Sequence, residues 1–148
     1  MNAHKVSLII ALALVVSASC KKGSSSTSTV ALPAAHVQGT PHTDEVLNAW
    51  RNAGLVLEGF APVQPAPNGA AYCEHGSVGG VDTVVCEYAS DEALAQGVQQ
   101  VKQGWERVDA HTGVILPAKR TTMAVVDRER REPSGKTISQ MVKAFRKL

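Results

Sequence analysis

The stretch from Tyr72 to Tyr88, YCEHGSVGGVDTVVCEY, constrains the fold of this chain more than any other segment. Two β-prone runs flank Gly79-Gly80, and a diglycine supplies the two positive φ angles that a two-residue hairpin loop needs. Counting outward from that loop, Val78 faces Val81 and Cys73 faces Cys86. The pair flanking such a loop is hydrogen-bonded and the type alternates outward, which puts the two cysteines on a non-hydrogen-bonded pair. There the Cα atoms lie about 4.5 Å apart, inside the disulfide range of about 4.4 to 6.8 Å. Turn chemistry and cysteine placement thus converge on one antiparallel hairpin closed by a bond between Cys73 and Cys86. His75 shares their face, so a second reading stands beside the first: a metal held by Cys73, His75 and Cys86, for which the sequence offers no fourth ligand.

The elements around the hairpin follow from punctuation and period. Thr43 is placed to cap a helix whose first turn carries Asp44 and Glu45, with Val46, Leu47, Trp50 and Ala53 on one face and Gly54 at its end. Leu55 to Phe60 reads as a strand, and the proline-rich run from Pro62 to Asn68-Gly69 breaks regular structure. Ser90 caps a second helix in which Leu94, Val98, Val101, Trp105 and Val108 recur at spacings of four, three, four and three, the pattern of a buried stripe. Core packing is the first reading of Trp105, and stacking against a ligand is the second. Val114 to Leu116 and Thr121 to Asp127 read as two further strands, with Pro117 marking the first as an edge. Arg128 to Gly135 is a charged turn, and Ile138, Met141, Val142, Phe145 and Leu148 line one face of a last helix over Lys136 to Lys147. The order α-β-β-β-α-β-β-α predicts an α+β fold, a mostly antiparallel sheet of about five strands with three helices packed on one face.

The beginning of the chain has a different character. After Lys5, Val6 to Val16 (VSLIIALALVV) is apolar apart from Ser7, too short for a membrane span and suited to the core of a signal peptide. Small residues follow at Ser17, Ala18 and Ser19, then Cys20. The stretch Val16-Ser17-Ala18-Ser19-Cys20 resembles the lipobox of bacterial lipoproteins, with Ser17 where that family prefers Leu, Val or Ile. The resemblance covers only the leader and implies a signal peptide over residues 1–19 and a diacylglycerol on Cys20. The three cysteines agree with it, since a Cys73–Cys86 pair leaves Cys20 as the odd one in an exported protein. Lipid on Cys20 makes the membrane a partner of the chain, and Lys21 and Lys22 beside it would each add about 1 kcal/mol against anionic headgroups. Lys21 in place of Asp after the cysteine implies, by the same resemblance, the periplasmic side of the outer membrane where the organism has two membranes.

Residues 20–42 read as a lipidated cysteine and a flexible tether, with a Ser/Thr tract at Ser24 to Thr29 and two prolines beyond it. That leaves 43–148 as a single globular domain. Its charge is divided along the chain, acidic from Thr43 to Ala118 and basic from Lys119 to Leu148. Either the two halves pair with each other or the basic part offers a face to an anionic partner.

Motifs of known chemistry are scarce. Gly135-Lys136-Thr137 ends like a phosphate-binding loop, but the glycine the motif requires five places earlier is Arg130. There is no GxSxG and no HExxH, and Cys73 and Cys86 are too far apart for a dithiol redox centre. Arg128, Arg130 and Arg131 alternate with Glu129 and Glu132, a solvated loop rather than a nucleic-acid patch. Three functional readings follow. The leading one is a non-catalytic envelope module that binds a protein, peptidoglycan or another envelope component, with no cofactor. The second is a small extracytoplasmic hydrolase whose His75 or His111 would work with Asp127 or a glutamate. The third is the metal centre at Cys73, His75 and Cys86.

Overall fold

The computed structural model describes residues 36–107 and 113–148. The expected signal peptide, Cys20, most of the expected tether, Val108 and His111 lie outside them. Among the described residues the order is α1 (Thr43–Asn52), β1 (Leu57–Pro62), β2 (Tyr72–Val78), β3 (Val81–Glu87), α2 (Asp91–Arg107), β4 (Gly113–Ala118), β5 (Thr121–Val126) and α3 (Lys136–Phe145). The five strands form one antiparallel sheet in the order β1-β2-β3-β5-β4. This is the α+β arrangement the periodicity predicts. No helix among the described residues is long and apolar enough to cross a membrane.

The central hairpin has the register that its turn dictates. Gly79 and Gly80 both take positive φ, 56° and 83°, Val78 pairs with Val81, and Cys73 pairs with Cys86. The two cysteines are joined by a disulfide, with their Cα atoms 4.1 Å apart. That bond removes both thiolates from the metal reading, because a ligating cysteine must be a free thiolate.

Alternation along β2, β3 and β5 gives the sheet two unlike faces. One carries Val78, Val81, Val85, Met123 and Val125, all fully buried beneath α1 and α3. Val46, Leu47 and Trp50 of α1 and Ile138, Met141 and Phe145 of α3 complete this core. Trp50 has no exposed surface, and its indole N–H donates to the Met141 carbonyl at 3.1 Å, which ties the two helices together. Ala53, placed on the apolar side of α1 by its spacing, is exposed because the helix is already ending there.

The helices do not share one face. α2 is the crossover from β3 to the far edge strand β4, and it passes over the opposite side of the sheet. Its N-terminus is capped by Ser90, whose hydroxyl accepts the Ala93 amide at 3.2 Å. Ala93 and Leu94 then pack on Tyr88 and the disulfide. Pro117 lies in β4, an edge strand, where a missing amide disrupts no ladder between two neighbours.

Residues 36–42, which composition assigns to the tether, are docked on the domain. Thr40 hydrogen-bonds Thr121 at 2.8 Å, and the Arg120 guanidinium donates to the carbonyls of Gln38 and Ala89. The Thr121 hydroxyl also donates to the Pro41 carbonyl. The folded unit therefore begins before α1, at least by His36.

Candidate functional site

Two places in the domain gather chemistry that the core does not use. The first is the clasp that holds residues 36–43. Glu87 stands at the end of β3 on the core face and has no exposed surface. Its Oε1 accepts the Thr43 amide at 2.7 Å and faces His36 Nδ1 at 2.8 Å, and its Oε2 accepts the Val37 amide at 2.7 Å. The carboxylate thus caps the positive end of α1, where His42, and not the expected Thr43, is the N-cap residue and makes no side-chain cap hydrogen bond. The His36 ring stacks on His42 with centroids 4.8 Å apart and meets the Tyr72 ring edge-on at 4.7 Å. Tyr72 donates its hydroxyl to Glu74 Oε1 at 2.7 Å, and burial, with that neighbouring carboxylate second, pushes the phenol well above its ordinary range. Thr43 donates to the same Glu74 oxygen at 3.4 Å.

This clasp contains a histidine and an acid in contact, but not the predicted pair. His75 is exposed on the other face of the sheet. The Asp127 oxygens accept the amides of Arg131 at 2.9 Å and Glu132 at 3.0 Å, so this acid organises the turn before α3, while His111 lies outside the described residues. Glu87, for its part, is engaged by two main-chain amides as well as by His36, an arrangement that fixes a segment in place. No group of three or more His, Cys, Asp or Glu among the described residues is disposed to hold a metal. One signal for the clasp was present in the sequence. Val81, Thr83, Val85 and Glu87 alternate onto one face, and a carboxylate on a buried face requires donors.

The second place is a cleft between α2 and the disulfide-bearing face of the sheet, with a volume of about 370 Å³. Register fixes its floor. Cys86 lies beside Thr122, Val84 between His75 and Ala124, and Asp82 between Ser77 and Val126. α2 runs from the Cys86 end toward the Val126 end, and its roof residues there are Val101, Gly104 and Trp105.

Two glycines seven residues apart on α2 measure how the helix sits. A Cβ on Gly97 would lie 2.6 Å from the Tyr88 hydroxyl oxygen and 2.7 Å from Cζ, so the helix rests directly on that ring. A Cβ on Gly104, on nearly the same side of the helix two turns later, would meet nothing within 4 Å. The helix therefore touches the sheet at its start and stands off it toward its end. This alters the expectation for its apolar stripe. Leu94 and Val98 are half-buried, and so are Val101 and Trp105, whose part of the stripe faces a cleft in place of a packed core. Trp105 lies against the start of β4, where a Cβ on Gly113 would come 3.0 Å from the indole Cζ3. The closed end of the cleft is formed by Tyr88, whose phenol is raised by burial while a hydrogen bond with Thr122 opposes the shift.

At the other end stand Asp82 and Arg128, both exposed. The same two residues line an adjoining polar cavity of about 170 Å³ that is bordered by Glu58, Ser77 and Arg131. An apolar trough with a charged mouth can take up a small amphipathic molecule, and the cleft falls within the usual range of about 300 to 1,000 Å³ for such sites. No family model matches this chain, and neither a curated protein nor a solved structure is found similar to it.

Proposed function

We propose that this protein is a lipid-anchored, non-catalytic module of the cell envelope that binds a small, largely apolar ligand in the cleft between α2 and the sheet. The observation that carries the binding half is the contrast between Gly97, pressed on Tyr88, and Gly104, which faces open space beside Trp105. An apolar helix face is ordinarily buried against a core. Holding one off the sheet over Val84, Ala124 and Val126 leaves apolar surface available to an occupant. The anchoring half rests on the leader, on the lipobox-like stretch ending at Cys20, and on the pairing of Cys73 with Cys86, which leaves Cys20 as the odd cysteine.

Each half has its own test. Titration with the fluorophore phenylnaphthylamine is expected to give saturable enhancement with one site per chain. Gly104→Phe, which puts a ring into the cleft, is expected to abolish the enhancement without lowering the melting temperature. Binding that persists undiminished in Gly104→Phe, or a wild-type protein that gives no saturable signal, overturns the cleft as a binding site. For the anchor, Cys20→Ala in the full chain is expected to move the protein from the membrane fraction to the soluble fraction. A variant that stays with the membrane removes the lipoprotein reading.

A further inference from the structure

The cleft has two kinds of surface, and their order along the sheet bears on what enters it. Its floor from Cys86 through Val84 and Ala124 to Val126 presents side chains with no formal charge. At the Val126 end the character changes. Asp82 is the cross-strand partner of Val126, and Arg128, in the bend just beyond the end of β5, lines the same end of the cleft. A carboxylate and a guanidinium therefore flank the last apolar residue of the trough, with Trp105 above it. A mouth of one sign would suit a fatty acid or an amine, whereas this one carries both signs.

We infer that the ligand is a small amphipathic molecule whose head carries an ammonium and an anionic group together, with a single apolar body behind them. The inference rests on the cleft reading and adds the head chemistry to it. The apolar body occupies the trough between Val84, Ala124 and Trp105. The ammonium meets Asp82, and the carboxylate or phosphate meets Arg128, whose planar fork matches an anion with two oxygens. Two sources share this chemistry: an apolar dipeptide with free ends, and a single-chain phosphoethanolamine lipid.

Calorimetric titration of the folded protein, with lipids kept below their micelle concentration, separates these possibilities. The probes are leucyl-phenylalanine, its N-acetylated and C-amidated form, lysophosphatidylethanolamine, and lysophosphatidylglycerol, which lacks the ammonium. Binding of the free dipeptide at least tenfold tighter than the capped one assigns the head to a peptide. Binding of the ethanolamine lipid at least tenfold tighter than the glycerol lipid assigns it to a lipid. In either case Asp82→Asn is expected to erase the preference for the ammonium, and Arg128→Gln to weaken the preferred ligand at least tenfold. Both positions are exposed, so neither substitution threatens the fold. Equal binding of free and capped, and of ethanolamine and glycerol, overturns the head inference. If that binding is still blocked by Gly104→Phe, the cleft reading survives alone. Failure of every probe, phenylnaphthylamine included, overturns both.

Discussion

Glu87 and His36, 51 residues apart in the chain, meet at 2.8 Å between a carboxylate with no exposed surface and an imidazole Nδ1. Through this contact and the two amides it accepts, Glu87 fixes the segment that joins the domain to everything before it. Replacing it with glutamine keeps the shape but turns one acceptor into a donor that faces a donor. Glu87→Gln is expected to cost about 2 to 3 kcal/mol in urea unfolding, the scale of hydrogen bonds to a charged group and of the desolvation left behind. It is also expected to release the amide-exchange protection of Val37 and Thr43 selectively. Unchanged protection at those two amides would show that the segment is held by the Arg120 and Thr121 contacts instead.

Tyr72 and Tyr88 give the domain an alkaline limit. Both phenols are held above their ordinary value of 10.0, chiefly by burial, and for Tyr72 also by Glu74. As pH rises past 10.0 the unfolded chain loses these protons while the folded one keeps them, so the unfolded state binds fewer protons and is favoured. Stability is therefore expected to be level below about pH 10 and to fall above it, with phenolate absorbance rising in step with loss of the fold. Tyr72→Phe removes one of the two groups and is expected to flatten that decline, at a cost of about 1.5 to 3 kcal/mol near neutrality for the lost bond to Glu74. An equally steep decline in Tyr72→Phe places the alkaline limit elsewhere.

These two relationships differ in how far the sequence announces them. The hairpin could be read to the residue, because a two-residue loop at Gly79-Gly80 sets every pair out to Cys73 and Cys86. The element order was equally open, since α1, α2 and α3 each carry a helical period and the strands between them are punctuated by Gly and Pro. Periodicity identifies an apolar face but not the surface it meets. The stripe on α2 has the spacing of a core helix, and only the crossover from β3 to the outer strand β4 sends it over the second face of the sheet, where Tyr88 props up one end. The clasp was hidden for another reason. His36, Thr40 and Pro41 sit in a stretch whose composition is that of a linker, and their partners Glu87, Tyr72 and Thr121 are brought to them by tertiary folding alone. The cleft and its charged mouth likewise combine residues of α2, β3 and the end of β5 that no local pattern joins.

The two tryptophans distinguish a core helix face from a cleft wall. Trp50 is fully buried, hydrogen-bonded to Met141 and packed near Phe60 with ring centroids 6.3 Å apart. Its replacement by alanine is expected to cost about 3 to 5 kcal/mol. Trp105 is half-buried over the cleft, and Trp105→Ala is expected to cost only about 1 kcal/mol while removing phenylnaphthylamine binding. Urea midpoints of the two variants make the comparison directly. Equal losses would mean that α2 packs along its whole length and that the cleft closes in solution.

Gly97 and Gly104 allow the tilt of α2 to be measured with one substitution made twice. In a helix, glycine to alanine stabilises by up to about 1 kcal/mol through the entropy of the unfolded chain. At Gly104 nothing opposes that gain, because the new methyl group enters open space. At Gly97 the same group would lie 2.6 Å from the Tyr88 hydroxyl oxygen, and that ring cannot turn aside, being fully buried against the disulfide. Overpacking of this kind costs about 1 to 3 kcal/mol and outweighs the helical gain. The expected result is opposite signs: Gly104→Ala raises the melting temperature and Gly97→Ala lowers it. Gly97→Ala is also expected to change the affinity for phenylnaphthylamine, since pushing α2 away at its near end alters the height of the roof carried by Val101 and Trp105. A stabilising Gly97→Ala would show that the helix does not rest on Tyr88. The stand-off at Gly104, and with it the cleft, would then lose its physical cause.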